Sequence, residues 1–216
     1  VFGLVDGVLL EDLPYPKADR IVQVWDANVP AAEYDYIAAN STTISAIGGY
    51  DAGEGVNLST NEGPVRLTGT RVTRSLLDIL GQPLAFGGGF TPGADEVGGS
   101  DEVILSHGLW TTSFGGDPDL LGQTLELDGI AHTVVGVLPP THDFPTARDE
   151  VLLPLRLDRS GAGLGNYWGS YSFRAIGLLA PGATPGTATA ELRGFTGGPL
   201  IEQNPIWTPA SNFRSE

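Results

Sequence analysis

Leu125-Glu126-Leu127-Asp128-Gly129-Ile130-Ala131-His132-Thr133-Val134-Val135-Gly136-Val137 is the stretch on which the fold turns. Leu125-Glu126-Leu127 and the β-branched run from Thr133 to Val137 flank Asp128-Gly129, a pair that accepts the positive φ a type I′ turn requires at both central positions. The stretch therefore predicts two antiparallel strands joined by a tight turn. Just upstream the pattern changes. Val103-Ile104-Leu105 reads as a buried strand and Ser106 as a helix cap, and Leu109, Trp110, Ser113 and Phe114 form one helical face that ends at Gly115-Gly116. A strand, a helix and a hairpin in succession predict a mixed architecture.

Further upstream, strand-like stretches around 55–59 and 65–72 are separated by the turn signal Asn61-Glu62-Gly63, which predicts a second hairpin. Thr73 is placed to cap a short helix carrying Leu76, Leu77 and Leu80, with Gly81 as its stop and Pro83 just beyond. Ile21-Val22-Gln23-Val24-Trp25 reads as the first strand, and Pro30 opens a helix with Tyr34, Ile37 and Ala38 on one face. Downstream, 151–157 is a strand candidate broken by Pro154 and 173–179 is another. Thr184-Pro185 then starts a last helix through Ala188, Leu192 and Phe195. Residues 86–100, with six glycines, read as a loop or an edge-strand connection. No internal repeat of 20–50 residues is present.

Composition narrows the function classes. The 216 residues carry 11 Lys and Arg against 26 Asp and Glu, a formal net charge of −15, and Lys17 is the single lysine. Such a chain repels phosphate backbones and anionic headgroups, which argues against nucleic acid or a membrane surface as partner. With no cysteine, thiolate catalysis, disulfides and thiolate metal sites are excluded. No run of about 18 apolar residues exists to span a bilayer. The apolar opening from Val1 to Leu10 lacks the basic flank of a signal peptide. The chain starts at Val1 and contains no Met, and it is expected to be an excised piece of a longer product.

The chemistry-bearing residues are scattered. His107, His132 and His142 follow no metal-binding spacing and read as ordinary, partly exposed histidines. Ser106 lacks the glycine frame of a nucleophile elbow and is better explained as a cap. Gly53-Glu54-Gly55 and Gly87-Gly88-Gly89 fit neither the phosphate loop nor the dinucleotide fingerprint. Asp95, Glu96, Asp101 and Glu102 match no calcium loop and read as a solvated acidic segment. Asn40-Ser41-Thr42 and Asn57-Leu58-Ser59 match glycosylation sequons, a pattern common by chance. No catalytic, cofactor or metal residue is assigned. Tyr167, Trp168 and Tyr171, in the glycine-flanked run Gly165-Asn166-Tyr167-Trp168-Gly169-Ser170-Tyr171, are the candidate partner contacts.

Several of these patterns together resemble one family. Leu9-Leu10, Leu13-Pro14-Tyr15-Pro16 and Asp19-Arg20-Ile21-Val22 are similar to the segment after the first membrane helix of MacB/FtsX-like ABC-transporter permeases. The ordered set Ser106-His107-Gly108-Leu109-Trp110, Phe114-Gly115-Gly116-Asp117-Pro118, Gly122-Gln123-Thr124-Leu125, Leu127-Asp128-Gly129 and Thr133-Val134-Val135-Gly136-Val137-Leu138-Pro139 resembles the middle of their periplasmic core domain. Leu179-Ala180-Pro181-Gly182-Ala183-Thr184, with Ala188 and Ala190-Glu191-Leu192, resembles its closing strand, turn and helix.

The resemblance implies an α+β, two-lobed fold. Residues 21–83 and 170–200 would form a mixed α/β base like the Porter subdomain, and 84–157 an inserted β-rich lobe like the Sabre subdomain. Residues 1–20 would be membrane-proximal, 158–169 a connecting loop and 201–216 a tail. It further implies a periplasmic location, the parent's own transmembrane helices and a cytoplasmic ATPase domain or subunit as partners, a periplasmic adaptor or exported substrate, a dimeric full-length protein, no cofactor and no catalysis. The implied mechanism is mechanotransmission of ATP-driven helix movement. The alternative is a ligand- or protein-binding module of another secreted or surface protein, and a third reading is a hydrolase using an acidic pair. If membrane helices flank the domain, strands 21–25 and 173–179 are expected in one sheet, with the segments near residues 10 and 200 on one side.

Overall fold

The computed structural model describes residues 15–159, 167 and 172–196. Its strands are β1 (Ile21–Val29), β2 (Ile44–Leu58), β3 (Val65–Val72), β4 (Phe86–Gly87), β5 (Glu102–Leu105), β6 (Thr124–Leu127), β7 (Ile130–Val137), β8 (Val151–Pro154) and β9 (Phe173–Leu179). The helices are α1 (Ala31–Asn40), α2 (Arg74–Leu80), α3 (His107–Phe114) and α4 (Pro185–Thr196). The segments around residues 10 and 200, the tail 201–216, Trp168 and Tyr171 lie outside the described residues.

The described residues form two compact units: 19–47, 158–159, 167 and 172–196 make the first, 15–18 and 48–157 the second. In the first, β1 and β9 pair antiparallel, with Ile21 opposite Leu178 and Val24 opposite Ala175. The start of β2 continues this ladder, joined by the Ala180 N–H to the Thr43 carbonyl at 2.8 Å. These strands are apolar on alternate positions or throughout because helices cover them: Tyr34 of α1 packs edge-on against Phe173, and Ala188 and Leu192 of α4 are fully buried. Strands 21–25 and 173–179 thus share one sheet as expected. Tyr34 and Ile37 are buried as their spacing predicts, whereas Ala38 is exposed. It lies on the same face as Tyr34, but in the last turn of the helix, where residues 38, 39 and 40 are all exposed.

In the second unit β2 and β3 form the hairpin expected from Asn61-Glu62-Gly63. β3 then pairs in parallel with β8, β8 antiparallel with β5, and β5 in parallel with β7. The β5–β7 pair requires a crossover, and α3 lies in the connection. Val56, Leu58, Leu67, Leu105, Leu109, Trp110, Leu127 and Val151 share one core. For this reason residues 48–83, read from sequence with the base, pack in the same unit as 84–157. Gly48 allows α2 to approach: a Cβ there would lie 2.6 Å from the Leu76 Cα.

The local turn and cap readings are mostly borne out. Asp128 and Gly129 have φ of 49° and 78°, the positive pair of a type I′ turn. Ser106 Oγ accepts from the Leu109 N–H at 3.1 Å, and Thr184 Oγ1 accepts from the Thr187 N–H at 3.2 Å. Thr73 is a correction. It precedes α2, but its hydroxyl accepts from the Gly49 N–H at 2.9 Å, and the helix start is capped by Asp95, whose Oδ2 accepts from the Arg74 N–H at 2.8 Å. The β8 strand ends at Pro154 and not at 157, since proline supplies no ladder donor.

Candidate functional site

Among the candidate partner contacts, Tyr167 is not a free surface group. Its hydroxyl donates to Asp35 Oδ2 at 3.0 Å, and Arg159 binds the same carboxylate through Nε and Nη2 at 2.8–3.0 Å. Burial, and then the bond to Asp35, pushes the Tyr167 phenol up to about 12. Asp35 thus ties α1 to the segment beyond residue 158. Sequence offered no signal for this cluster, because Asp35 stands more than 120 positions from both of its partners.

The other tie in the first unit lies where β1 begins. Arg20 donates from Nε to the Leu179 carbonyl at 3.1 Å and from Nη2 to the same oxygen. Its guanidinium therefore fastens the entry of β1 to the exit of β9. Nearby in sequence to β9, Glu191 of α4 is held by the Ser41-Thr42-Thr43 turn. The Ser41 hydroxyl donates at 2.5 Å, Thr42 donates its N–H at 2.8 Å and its hydroxyl at 2.6 Å, and Thr43 donates its N–H at 3.1 Å and its hydroxyl. Burial works against this charge, but the hydrogen bonds outweigh it and hold the carboxyl down at about 2. Ser41 and Thr42 of the sequon match at 40–42 are therefore in use as a carboxylate cradle, while Asn40 donates to the Tyr36 carbonyl.

In the second unit the acids of the glycine-rich segment have structural partners. Arg156 donates to the carbonyls of Ala94, Gly99 and Ser100 and to Asp101 Oδ1, at 2.8–3.3 Å. Glu102 is buried and accepts from the Thr91 N–H at 2.8 Å and the Ser100 hydroxyl at 2.7 Å. Among the described residues no three His, Asp or Glu side chains converge as metal ligands.

Each histidine has a packing role. His107 meets Trp110 edge-on at 5.4 Å. His132 is a correction: it is buried, with Nδ1 2.9 Å from the Ile130 carbonyl, because its strand turns this position toward the core. His142 lies against Tyr15, with Nδ1 2.9 Å from Gln82 Oε1. Burial lowers its pKa. His142, Gln82, Leu77, Asp78, Leu84 and Leu138 line a pocket of about 380 Å³, in which Asp78 is engaged by Arg74 at 3.7 Å.

Three solved structures share this mixed α+β fold. A domain assigned to a permease from Porphyromonas gingivalis superposes with a TM-score of 0.62 at 21% identity, covering 84% of this chain and 85% of that one. The periplasmic region of MacB from Actinobacillus actinomycetemcomitans gives 0.61 at 13% identity, covering 88% and 86%. The extracellular domain of the ABC-type transporter YknZ from Gram-positive bacteria gives 0.57 at 15%, covering 80% and 86%. No curated protein matches the chain. The family model of the MacB-like periplasmic core domain matches residues 1–195, and the chain belongs to that family. No described helix is long and apolar enough to cross a membrane.

Proposed function

We propose that this domain transmits force in an ABC-transporter permease, passing ATP-driven movement of membrane helices to an exported substrate or a periplasmic partner. The observation that supports this reading is the register of β1 and β9. Ile21 stands opposite Leu178, so the chain enters and leaves the ladder at the same end, where Arg20 ties to Leu179. A domain anchored through both flanks needs that arrangement, because a short link cannot cross a domain of this size. Displacement of either flank loads the β1–β9 bonds directly.

In this reading the ATPase is a cytoplasmic domain or subunit, the full-length protein is a dimer, and a periplasmic adaptor or substrate is the partner. The domain performs no catalysis. The first unit corresponds to the Porter-like base, and the second carries the Sabre-like insertion.

The domain has no cysteine, which permits specific spin labelling at the exposed positions Ala38 and Asp119. With Ala38→Cys and Asp119→Cys in the full-length permease, reconstituted with its ATPase, ATP is expected to shift the label–label distance distribution. A hydrolysis-deficient ATPase is expected to hold it in one state. Identical distributions with and without nucleotide would refute transmission through the domain.

A further inference from the structure

Residues 139–150 contain no helix or strand, yet they are fastened to the second unit at several points. The Asp143 N–H donates to the Tyr15 hydroxyl at 3.2 Å, and Phe144 meets Tyr50 edge-on at 5.1 Å. Glu150 closes the segment: its N–H donates to the Thr68 carbonyl at 2.8 Å, and its Oε2 accepts from the Thr68 N–H at 2.8 Å. Between these anchors sits Asp149, 4% exposed. Neither of its carboxyl oxygens makes a hydrogen bond of ordinary geometry among the described residues, and the hydroxyl of Thr70, a residue with no exposed surface, is in the same condition.

An ionised carboxylate here would have lost its water without gaining a cation, with only the Thr70 side chain and the Thr146 backbone to offset the loss, an arrangement of high cost. The neutral acid has an O–H to give and a hydroxyl beside it. Burial drives the Asp149 carboxyl above its ordinary value, and the Thr70 side chain and the backbone at Thr146 offset this only in part. Charged groups on the neighbouring elements are turned elsewhere. Arg71 of β3 binds Glu54 at 2.7 Å, Glu150 is taken by Thr68, and Arg148 is exposed. Glu102 of β5 is taken by Thr91 and Ser100, and β8 carries no charge.

We propose that residues 139–150 are a pH-sensitive strap, held against the second unit by an uncharged Asp149 carboxyl enclosed with Thr70, and loosened when that carboxyl ionises. The acid binds its proton more tightly with the strap closed than open. The Asp149 contribution to closure is therefore complete at pH below the ordinary aspartate range and is lost as pH rises through the raised value. His142 on the same strap, its pKa lowered by burial, acts with the opposite sign and is common to the wild type and any Asp149 variant.

The test compares the intact domain with Asp149→Asn, which keeps the shape of the neutral acid. Glu33 is also raised, to about 7, by burial, so the readout is the difference between the two proteins. From the ordinary aspartate range up to about pH 8 the wild-type melting midpoint is expected to fall further than that of the variant. Amide protection of Glu150 and Ser106, whose N–H groups bond across the strap's end, should weaken with pH in the wild type alone. Should Asp149→Asn fail to fold, carbon NMR of the wild-type Asp149 carboxyl decides: a titration midpoint above the ordinary aspartate range supports the strap. Equal pH slopes in the two proteins, or a midpoint at the ordinary value, would overturn it.

Discussion

Glu191 receives both the N–H and the hydroxyl of Thr42, at 2.8 and 2.6 Å, across 149 positions of sequence. With Ser41 and Thr43 added, α4 is bound to the turn before β2 by a single carboxylate. Such a bond exists only while the acid is charged, so its contribution depends on pH. The folded value is about 2 against an ordinary 4.5; the stabilisation is present above the ordinary value and is lost as pH falls from there toward 2. Glu191→Gln is expected to lower stability at neutral pH by about 1 kcal/mol, since a carboxylate in contact with solvent keeps only part of its hydrogen-bond energy. It should also flatten the acid limb of the unfolding curve. Denaturant titrations at several pH values check both effects.

Gly48→Ala is expected to be costly although both residues are small. The added Cβ would meet the backbone of Leu76 at 2.6 Å, and a helix cannot yield as a side-chain tip can. A loss of about 1–3 kcal/mol follows from overpacking of this kind, read as a lower urea midpoint with an unchanged slope. A wild-type midpoint would mean that α2 moves away from β2 at little cost.

Gly129→Val isolates backbone strain from crowding, because nothing lies within 4 Å of a Cβ at this position. Its φ of 78° disfavours a β-branched residue by about 1–2 kcal/mol. The turn is also anchored, as Asp128 Oδ1 accepts from the Asn57 N–H at 3.0 Å, so strain there should reach the end of β2. Thermal unfolding measures the loss, and amide protection at Asn57 should fall with it.

These cases mark what the sequence carried. Asp128-Gly129, Ser106 and Thr184 were legible because each acts within four residues of itself, where residue type decides φ or supplies a cap. Strand Phe173–Leu179 was legible for a related reason: from Ala175 onward it is buried on both faces and apolar, with only Arg174 exposed. The ties were not legible. Thr73 stands in a cap position yet binds Gly49, and Asp95, in a segment read as a solvated loop, caps α2 in its place. Nothing local distinguishes a hydroxyl that caps from one that bonds to a strand packed above it. The parallel pairing of β3 with β8 likewise depends on burying Leu67 beside Val151 in a common core, a choice made by the whole chain. Asp35, Arg159 and Tyr167 form their cluster only after α1 has packed.

Arg156 gives the glycine-rich segment a property that its acids alone would not. Its guanidinium occupies the space among three carbonyls and the Asp101 carboxylate in the manner of a coordinated cation, but it is covalently part of the chain. Such a counter-ion has no dissociation constant: it is neither diluted away, nor removed by a chelator, nor exchanged when the salts outside the cell change. An acidic loop on a protein of net charge −15 thereby keeps its shape independently of the ions around it.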